Sequence, residues 1–191
     1  MVLSRDKKEF RQKLLERLMS LTENEIKRRS KNVEARLSSL SIYKSAKIIM
    51  VYYPLKGEVN ILDLIRKDSR SKRFCFPVMD LKAKNLRIFQ IEHLEDGFIP
   101  GPYGVMEPDT KKAKELTIEE IDLILVPGLG FDRMKNRLGR GAGFYDRFLQ
   151  NIKPSIKRIG LAFDFQITAN LPVDPVFDQA LDSIVSEKEV L

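Results

Sequence analysis

Ile48-Ile49-Met50-Val51-Tyr52-Tyr53 decides the fold: six apolar or aromatic residues in a row, with no polar position to turn toward water. A strand with one wet face would alternate, whereas an unbroken run belongs to a strand covered on both faces, as in a parallel sheet. Two helical patterns precede it. Phe10, Leu14, Leu18 and Leu21 recur at helical spacing behind Ser4, which is placed to cap a helix running to about Leu21. Thr22-Glu23-Asn24-Glu25 has the form of a capping box, so a second helix with the stripe Ile26, Val33, Leu37 and Leu40 is expected. Beyond the run, Asn60 should cap a short helix carrying Ile61, Leu62, Leu64 and Ile65. Further strands are expected at 74–78, 86–91, 123–126, 159–163 and 183–185, with a helical turn at 117–120 and a helix at about 142–151. Residues 96–108 hold three glycines and three prolines and read as a loop, as do residues 127–141. Strands alternating with helices imply an α/β protein with a mostly parallel sheet and helices on both faces. No repeat, low-complexity tract or linker interrupts residues 1–191, which are expected to form a single domain.

Composition narrows the classes. Of 191 residues, 43% are hydrophobic and 32% charged, which suits a folded domain with its own core rather than a disordered chain. The single cysteine, Cys75, lies in Phe74-Cys75-Phe76 and reads as a buried filler in a reduced compartment, not as a catalytic thiol. No segment is apolar enough for a signal peptide or a membrane span, so a cytoplasmic protein without a membrane partner is expected. The net charge of +7 favours acidic ligands.

That charge is concentrated where glycine is. Five of the ten glycines fall between Gly128 and Gly143, together with Arg133, Lys135, Arg137 and Arg140. The core of this stretch is Arg137-Leu138-Gly139-Arg140-Gly141-Ala142-Gly143-Phe144-Tyr145-Asp146. It follows a buried strand, the place where open α/β sheets bind ligands. Alternating glycines let the backbone approach a phosphate, and their N–H groups with two arginines make an anion cradle. Asp146 adds a carboxylate suited to Mg²⁺, which commonly takes one or two carboxylates plus phosphate oxygens. Walker A requires Gly-Lys-Ser/Thr, which is absent, and Phe144 stands where a dinucleotide fingerprint would need its third glycine.

The same residues resemble a known family. Pro127-Gly128-Leu129-Gly130-Phe131-Asp132 followed by residues 136–146 is similar to the signature of 5-formyltetrahydrofolate cyclo-ligases, also called methenyltetrahydrofolate synthetases. Lys7-Lys8-Glu9-Phe10-Arg11, Lys56-Gly57-Glu58-Val59-Asn60, Tyr103-Gly104-Val105-Met106-Glu107-Pro108 and the segment from Asp178 through Asp182 resemble further family motifs, in the family's order. With the resemblance, the sheet is expected to belong to a Rossmann-like three-layer sandwich. The implied reaction converts ATP and 5-formyltetrahydrofolate to 5,10-methenyltetrahydrofolate, ADP and phosphate with Mg²⁺. The formyl oxygen is phosphorylated and a substrate nitrogen then closes the ring, so the protein supplies positioning and charge neutralisation.

The resemblance also implies roles. Lys7, Lys8 and Arg11 on the first helix, with Arg137, Leu138, Gly139, Arg140, Gly141, Ala142, Gly143, Phe144 and Tyr145, would bind ATP. Tyr53, Glu58, Tyr103, Arg140, Gly141, Gly143 and Phe144 would contact the folate, Glu58 through the N–H edge of the pterin. Arg140 and Tyr145 would act at the transferring group, and Asp146 and Asp182 would hold Mg²⁺. Two positions depart from the family's pattern: Ala142 stands for glycine or lysine, and Phe144 for the first tyrosine of Tyr-Tyr-Asp. A monomer acting on these small molecules, without nucleic acid, is expected. A different ATP-dependent ligase or kinase on the same scaffold, and an RNA-binding protein using the basic loop, are the alternatives. The second lacks the exposed aromatics or RNP-type motif that RNA recognition usually adds.

Overall fold

A computed structural model describes residues 2–174 and 177–191, with side chains from residue 6 onward. Helices α1 (Val2–Met19), α2 (Glu23–Ser39) and α3 (Ser41–Ser45) precede strand β1 (Ile48–Met50), which α4 (Leu62–Asp68) connects to β2 (Arg73–Asp80). Strands β3 (Asn85–Gln90), β4 (Phe98–Pro100), β5 (Met106–Pro108), β6 (Lys114–Leu116) and β7 (Leu123–Val126) follow. Next come β8 (Gly130–Asp132), β9 (Arg137–Leu138), α5 (Phe144–Gln150), β10 (Lys157–Leu161), β11 (Ile167–Thr168) and β12 (Ser183–Val185).

The main sheet runs in the order β12-β10-β7-β1-β2-β3-β6. Its first five strands are parallel, and β3 and β6 are antiparallel at one edge. The run that announced the fold is buried from Ile48 to Tyr52, with Ile48 6% and Ile49, Met50 and Val51 0% exposed, and only Tyr53 is half-buried. Successive residues serve opposite layers, as the strand period demands. Ile49, Val51, Leu123 and Leu125 pack with Leu18, Val33, Leu37 and Ile65 of the helices before β2. Ile48, Met50, Ile124 and Val126 pack with Phe148 and Leu149 of α5 and with Ile152 and Ile156 after it. Helices therefore cover both faces in three layers.

Local signals explain several boundaries. Thr22 Oγ1 accepts from Glu25 N while Glu25 Oε2 accepts from Thr22 N, completing the capping box. Asn60 Oδ1 accepts from Leu62 N at 3.0 Å, so it satisfies the first turn of α4 from one residue before the N-cap, Ile61. Ser4 lies inside α1 rather than at its cap, because that helix already starts at Val2. Two segments expected as loops contain strands. Residues 96–108 form the β4–β5 hairpin, and residues 127–141 contain the antiparallel pair β8–β9. Strands of two or three residues are too short to show a period, and their glycines and prolines signal only turns.

Leaving β1, the chain builds β2 on one side and later returns to place β7 on the other. This reversal opens a crevice beyond the carboxyl ends of β1 and β7, the usual ligand position in such sheets. Residues 51–53 and 127–128 emerge there.

Cys75 lies in the middle of β2, 0% exposed, with Sγ 3.5 Å from Ile49 O. Burial pushes its thiol far above the ordinary range. The native protein should therefore resist labelling by an aromatic disulfide reagent at neutral pH and take up one equivalent after denaturation. Fast labelling without denaturant would contradict this placement.

Candidate active site

The segment 139–143 stands between two cavities. One, of about 440 Å³, is lined mainly by apolar and aromatic side chains, among them Tyr52, Tyr53, Met79, Tyr103 and Phe144. The other, of about 220 Å³, is lined by polar groups including Arg11, Arg147, Gln150 and Asp178. Arg137, Gly139, Gly141, Gly143 and Asp146 line both.

Arg137 anchors this wall from below. It is 5% exposed; Nη2 donates to Asp146 Oδ1 at 2.6 Å and Nη1 to Pro127 O at 3.2 Å, while buried Nε has no partner among the described residues. A Cβ on Gly139 would come within 2.8 Å of Arg137 Nη1, so glycine there makes room for the guanidinium. Gly141 and Gly143 have φ of 110° and 71°, conformations that favour glycine. Gly143 sets the start of α5, two residues after the expected point, and leaves Ala142 exposed in the wall.

Side chains from distant elements grip the same wall. Arg11 of α1 donates Nε to Gly139 O at 2.9 Å, and Lys7, one turn earlier, pairs with Asp178. Arg140 donates Nε and Nη2 to Glu58 Oε1 at 3.1 and 2.9 Å, while Glu58 Oε2 accepts from Leu55 N. Arg147 donates to Ala142 O and Lys84 O, tying the wall to the β2–β3 turn. Lys8 is exposed and lines neither cavity, and the Leu138 side chain is core, packed with Leu14 and Leu171.

Aromatic groups shape the apolar cavity. Tyr53 meets Phe98 edge-on at 4.8 Å. Tyr103, 73% exposed and in the left-handed region at φ 57°, stands at the tip of the β4–β5 hairpin with its ring 6.5 Å from that of Phe144. Tyr145 points a buried hydroxyl that has no hydrogen-bond partner among the described residues. Burial pushes this phenol far above its ordinary range, so it stays protonated and can donate.

An α/β sheet with its switch-point crevice, the Gly/Arg wall and the flanking motifs in order invite comparison with known proteins. The sequence matches the 5-formyltetrahydrofolate cyclo-ligase family over residues 3–187. The chain belongs to that family. It is 29% identical over 192 residues to the mouse 5-formyltetrahydrofolate cyclo-ligase, covering 95% of this chain and 93% of that protein. With the Haemophilus influenzae 5-formyltetrahydrofolate cyclo-ligase it shares 34% identity over 142 residues, covering 71% and 75%. The solution structure of the Aquifex aeolicus 5,10-methenyltetrahydrofolate synthetase superposes with a TM-score of 0.84 at 33% identity, covering 96% of this chain and 91% of that one. The cyclo-ligase fold is thus shared, and the chain is a member of a ligase family.

Within this member of the family the two carboxylates expected at a metal lie apart. Asp146 follows the carboxyl end of β7. Asp182 sits at the opposite end of the sheet, where it accepts from Arg158 N and Nε and pairs with Lys157. The carboxylate that shares the polar cavity with Asp146 is Asp178, four residues earlier. The family resemblance points to Asp182, whereas the polar cavity takes Asp178 from the same segment. Glu107 was also passed over as a site residue: it lines the apolar cavity, yet its burial is invisible in the motif.

Burial alone would raise the Asp182 carboxyl, but the Arg158 N–H and the Arg158 and Lys157 side chains outweigh it and hold it below its ordinary range. Its stabilisation is therefore present above the carboxylate range and lost as pH falls through the lowered folded pKa. Asp182→Asn should cost about 1 kcal/mol at neutral pH, the scale of a partly solvated charge-assisted hydrogen bond. The difference from wild type in denaturant titrations should vanish in acid. Loss of turnover without loss of stability would place Asp182 in the site after all.

Proposed function

We propose that the protein converts 5-formyltetrahydrofolate and ATP to 5,10-methenyltetrahydrofolate, ADP and phosphate. The observation that carries this reading is the Gly/Arg wall shared by an apolar cavity and a polar one, so that one loop faces a flat heterocycle and a polyphosphate together. The apolar cavity has the size usual for small-molecule sites, and its aromatic lining suits a pterin ring. Arg11, Arg137, Arg147 and the segment at Gly139, Gly141 and Gly143 supply the polyphosphate side, with Lys7 beside Asp178, while Arg140 reaches the apolar cavity from the same wall.

The apolar cavity carries no Ser, Cys or His among its described lining residues. That fits a reaction in which the substrate supplies both nucleophiles. Its formyl oxygen attacks the γ-phosphorus and ADP leaves; the neighbouring nitrogen then attacks the activated carbon, loses its proton and expels phosphate. The protein's part is to align the two substrates and offset developing charge. Arg140 lies at the cavity wall to neutralise the transferring phosphoryl group, and the Tyr145 hydroxyl is a donor without a partner until substrate arrives.

Asp146 and Asp178 fit Mg²⁺ by their chemistry: hard carboxylate oxygens in one polar cavity, too few for a protein-only cage and sufficient when phosphate oxygens and water complete the shell. When bound, the ion would neutralise phosphate charge.

The test mixes protein, 5-formyltetrahydrofolate and MgATP and follows the absorbance of the methenyl product. No product with either mono- or polyglutamylated folate would sink the reading. Arg140→Ala should lower kcat by about 10²–10³-fold, the scale of losing one preorganised donor, in a protein that still folds but melts lower because Glu58 loses its partner. Asp178→Asn should raise the Mg²⁺ concentration needed for half-maximal rate, and an unchanged requirement would remove Asp178 from the metal site.

A further inference from the structure

Three carboxylates line the apolar cavity, and two of them are matched to cations: Glu58 to Arg140 and Asp146 to Arg137. The third, Glu107, is not. It lies in the middle of β5 and is 7% exposed. Its Oε1 accepts from Met79 N at 2.9 Å; among the described residues nothing donates to Oε2, and no cation pairs with the carboxylate. Burial pushes the carboxyl above its ordinary range, and the Met79 N–H draws it only partly back. Oε2 is not among the fully buried atoms that lack a partner, so it keeps contact with solvent and stands open to a donor.

The fold nevertheless keeps space for this group. A Cβ on Gly101, across the β4–β5 hairpin, would fall 2.6 Å from Glu107 Cδ and 2.7 Å from Oε2. Gly101 has φ of −108°, open to any residue, so its glycine serves the carboxylate and not the turn. A carboxylate with an open acceptor on the wall of an apolar cavity, given room by its neighbour, calls for a ligand with N–H donors on an otherwise apolar body. Glu58 is a poorer candidate because Arg140 and Leu55 already occupy its two oxygens.

We infer that Glu107 is a substrate-recognition residue, its free Oε2 accepting from the amino and ring N–H edge of the pterin. The inference rests on the folate reading above. The cavity's carboxylates then have separate roles, with Glu58 holding Arg140 on the loop side and Glu107 reading the heterocycle from the sheet side. An aromatic cavity alone would accept any flat ring. An unpaired carboxylate selects one that offers donors, since a ring lacking them leaves the charge buried and uncompensated.

The experiment titrates wild type and Glu107→Gln with 5-formyltetrahydrofolate and with an analogue whose pterin 2-amino group is replaced by methyl, and measures KM for both substrates. In E107Q the folate KM should rise about 10- to 100-fold, while kcat and the KM for ATP stay within about twofold. The analogue should bind wild type more weakly than the natural folate, with no comparable further loss in E107Q. Gly101→Ala, which displaces the carboxylate without removing it, should raise the folate KM in the same way. Ligand-free E107Q should melt no lower than wild type, because the glutamine carbonyl still accepts from Met79 N and the buried charge is gone. An unchanged folate KM, or equal analogue penalties in wild type and E107Q, would overturn the inference while leaving the folate reading intact. A lower melting temperature with both KM values raised together would instead make Glu107 structural. Wild type that binds no folate would overturn the reading beneath it.

Discussion

A guanidinium buried beneath a glycine loop is the constraint on which the site depends. Arg137 carries a full charge at a position almost closed to water, where an unmatched ion would cost several kcal/mol. Asp146 on α5 and the Pro127 carbonyl at the end of β7 satisfy it, and so bind the helix, the strand end and the loop into one unit. Gly139 is shaped by the same side chain, since a Cβ there would press on the guanidinium, and a Cβ on Gly128 would press on Phe131 first and on the Arg137 stem next. The position of α5, and with it that of Tyr145 and Phe144, therefore follows from one ion pair as much as from the apolar packing of Phe148 and Leu149.

The same principle extends outward. Lys7 faces Asp178, Arg11 a carbonyl, and Arg140 faces Glu58. The positive charge concentrated in the sequence is thus not left bare; it is balanced locally by groups that an anionic ligand can replace. Such pairing keeps long side chains ordered and would reduce the entropy lost if an anionic ligand took over as their partner. Glu107 has no counter-charge of this kind, which sets it apart from the other carboxylates of the cavity.

Much of this was legible in the residues themselves, for identifiable reasons. The run from Ile48 was readable because burial on both faces removes the alternation that solvent imposes. Thr22 and Glu25 were readable because a capping box is closed within four residues. What escaped depends on register between distant segments. Asp178 and Asp182 are chemically alike and close in sequence, and only the pairing of β12 beside β10 sends one to Arg158 and leaves the other near Lys7. The β8–β9 pair was hidden because its glycines are needed for the approach of Arg137 and Leu14, not for turning the chain. Glu58 looked free for a ligand because nothing local announces that an arginine 82 residues later will sit on it.

The wall formed by residues 139–143 has a further consequence, because its two sides belong to different compartments. A molecule that shifts or stiffens this short segment from one side alters the fit on the other without touching its occupant. Thermodynamic linkage then makes the influence mutual: the factor by which one ligand changes the affinity of the other must be returned in equal measure. A shared partition is thus also a coupling element, and its three glycines govern how readily occupancy on one side is felt on the other.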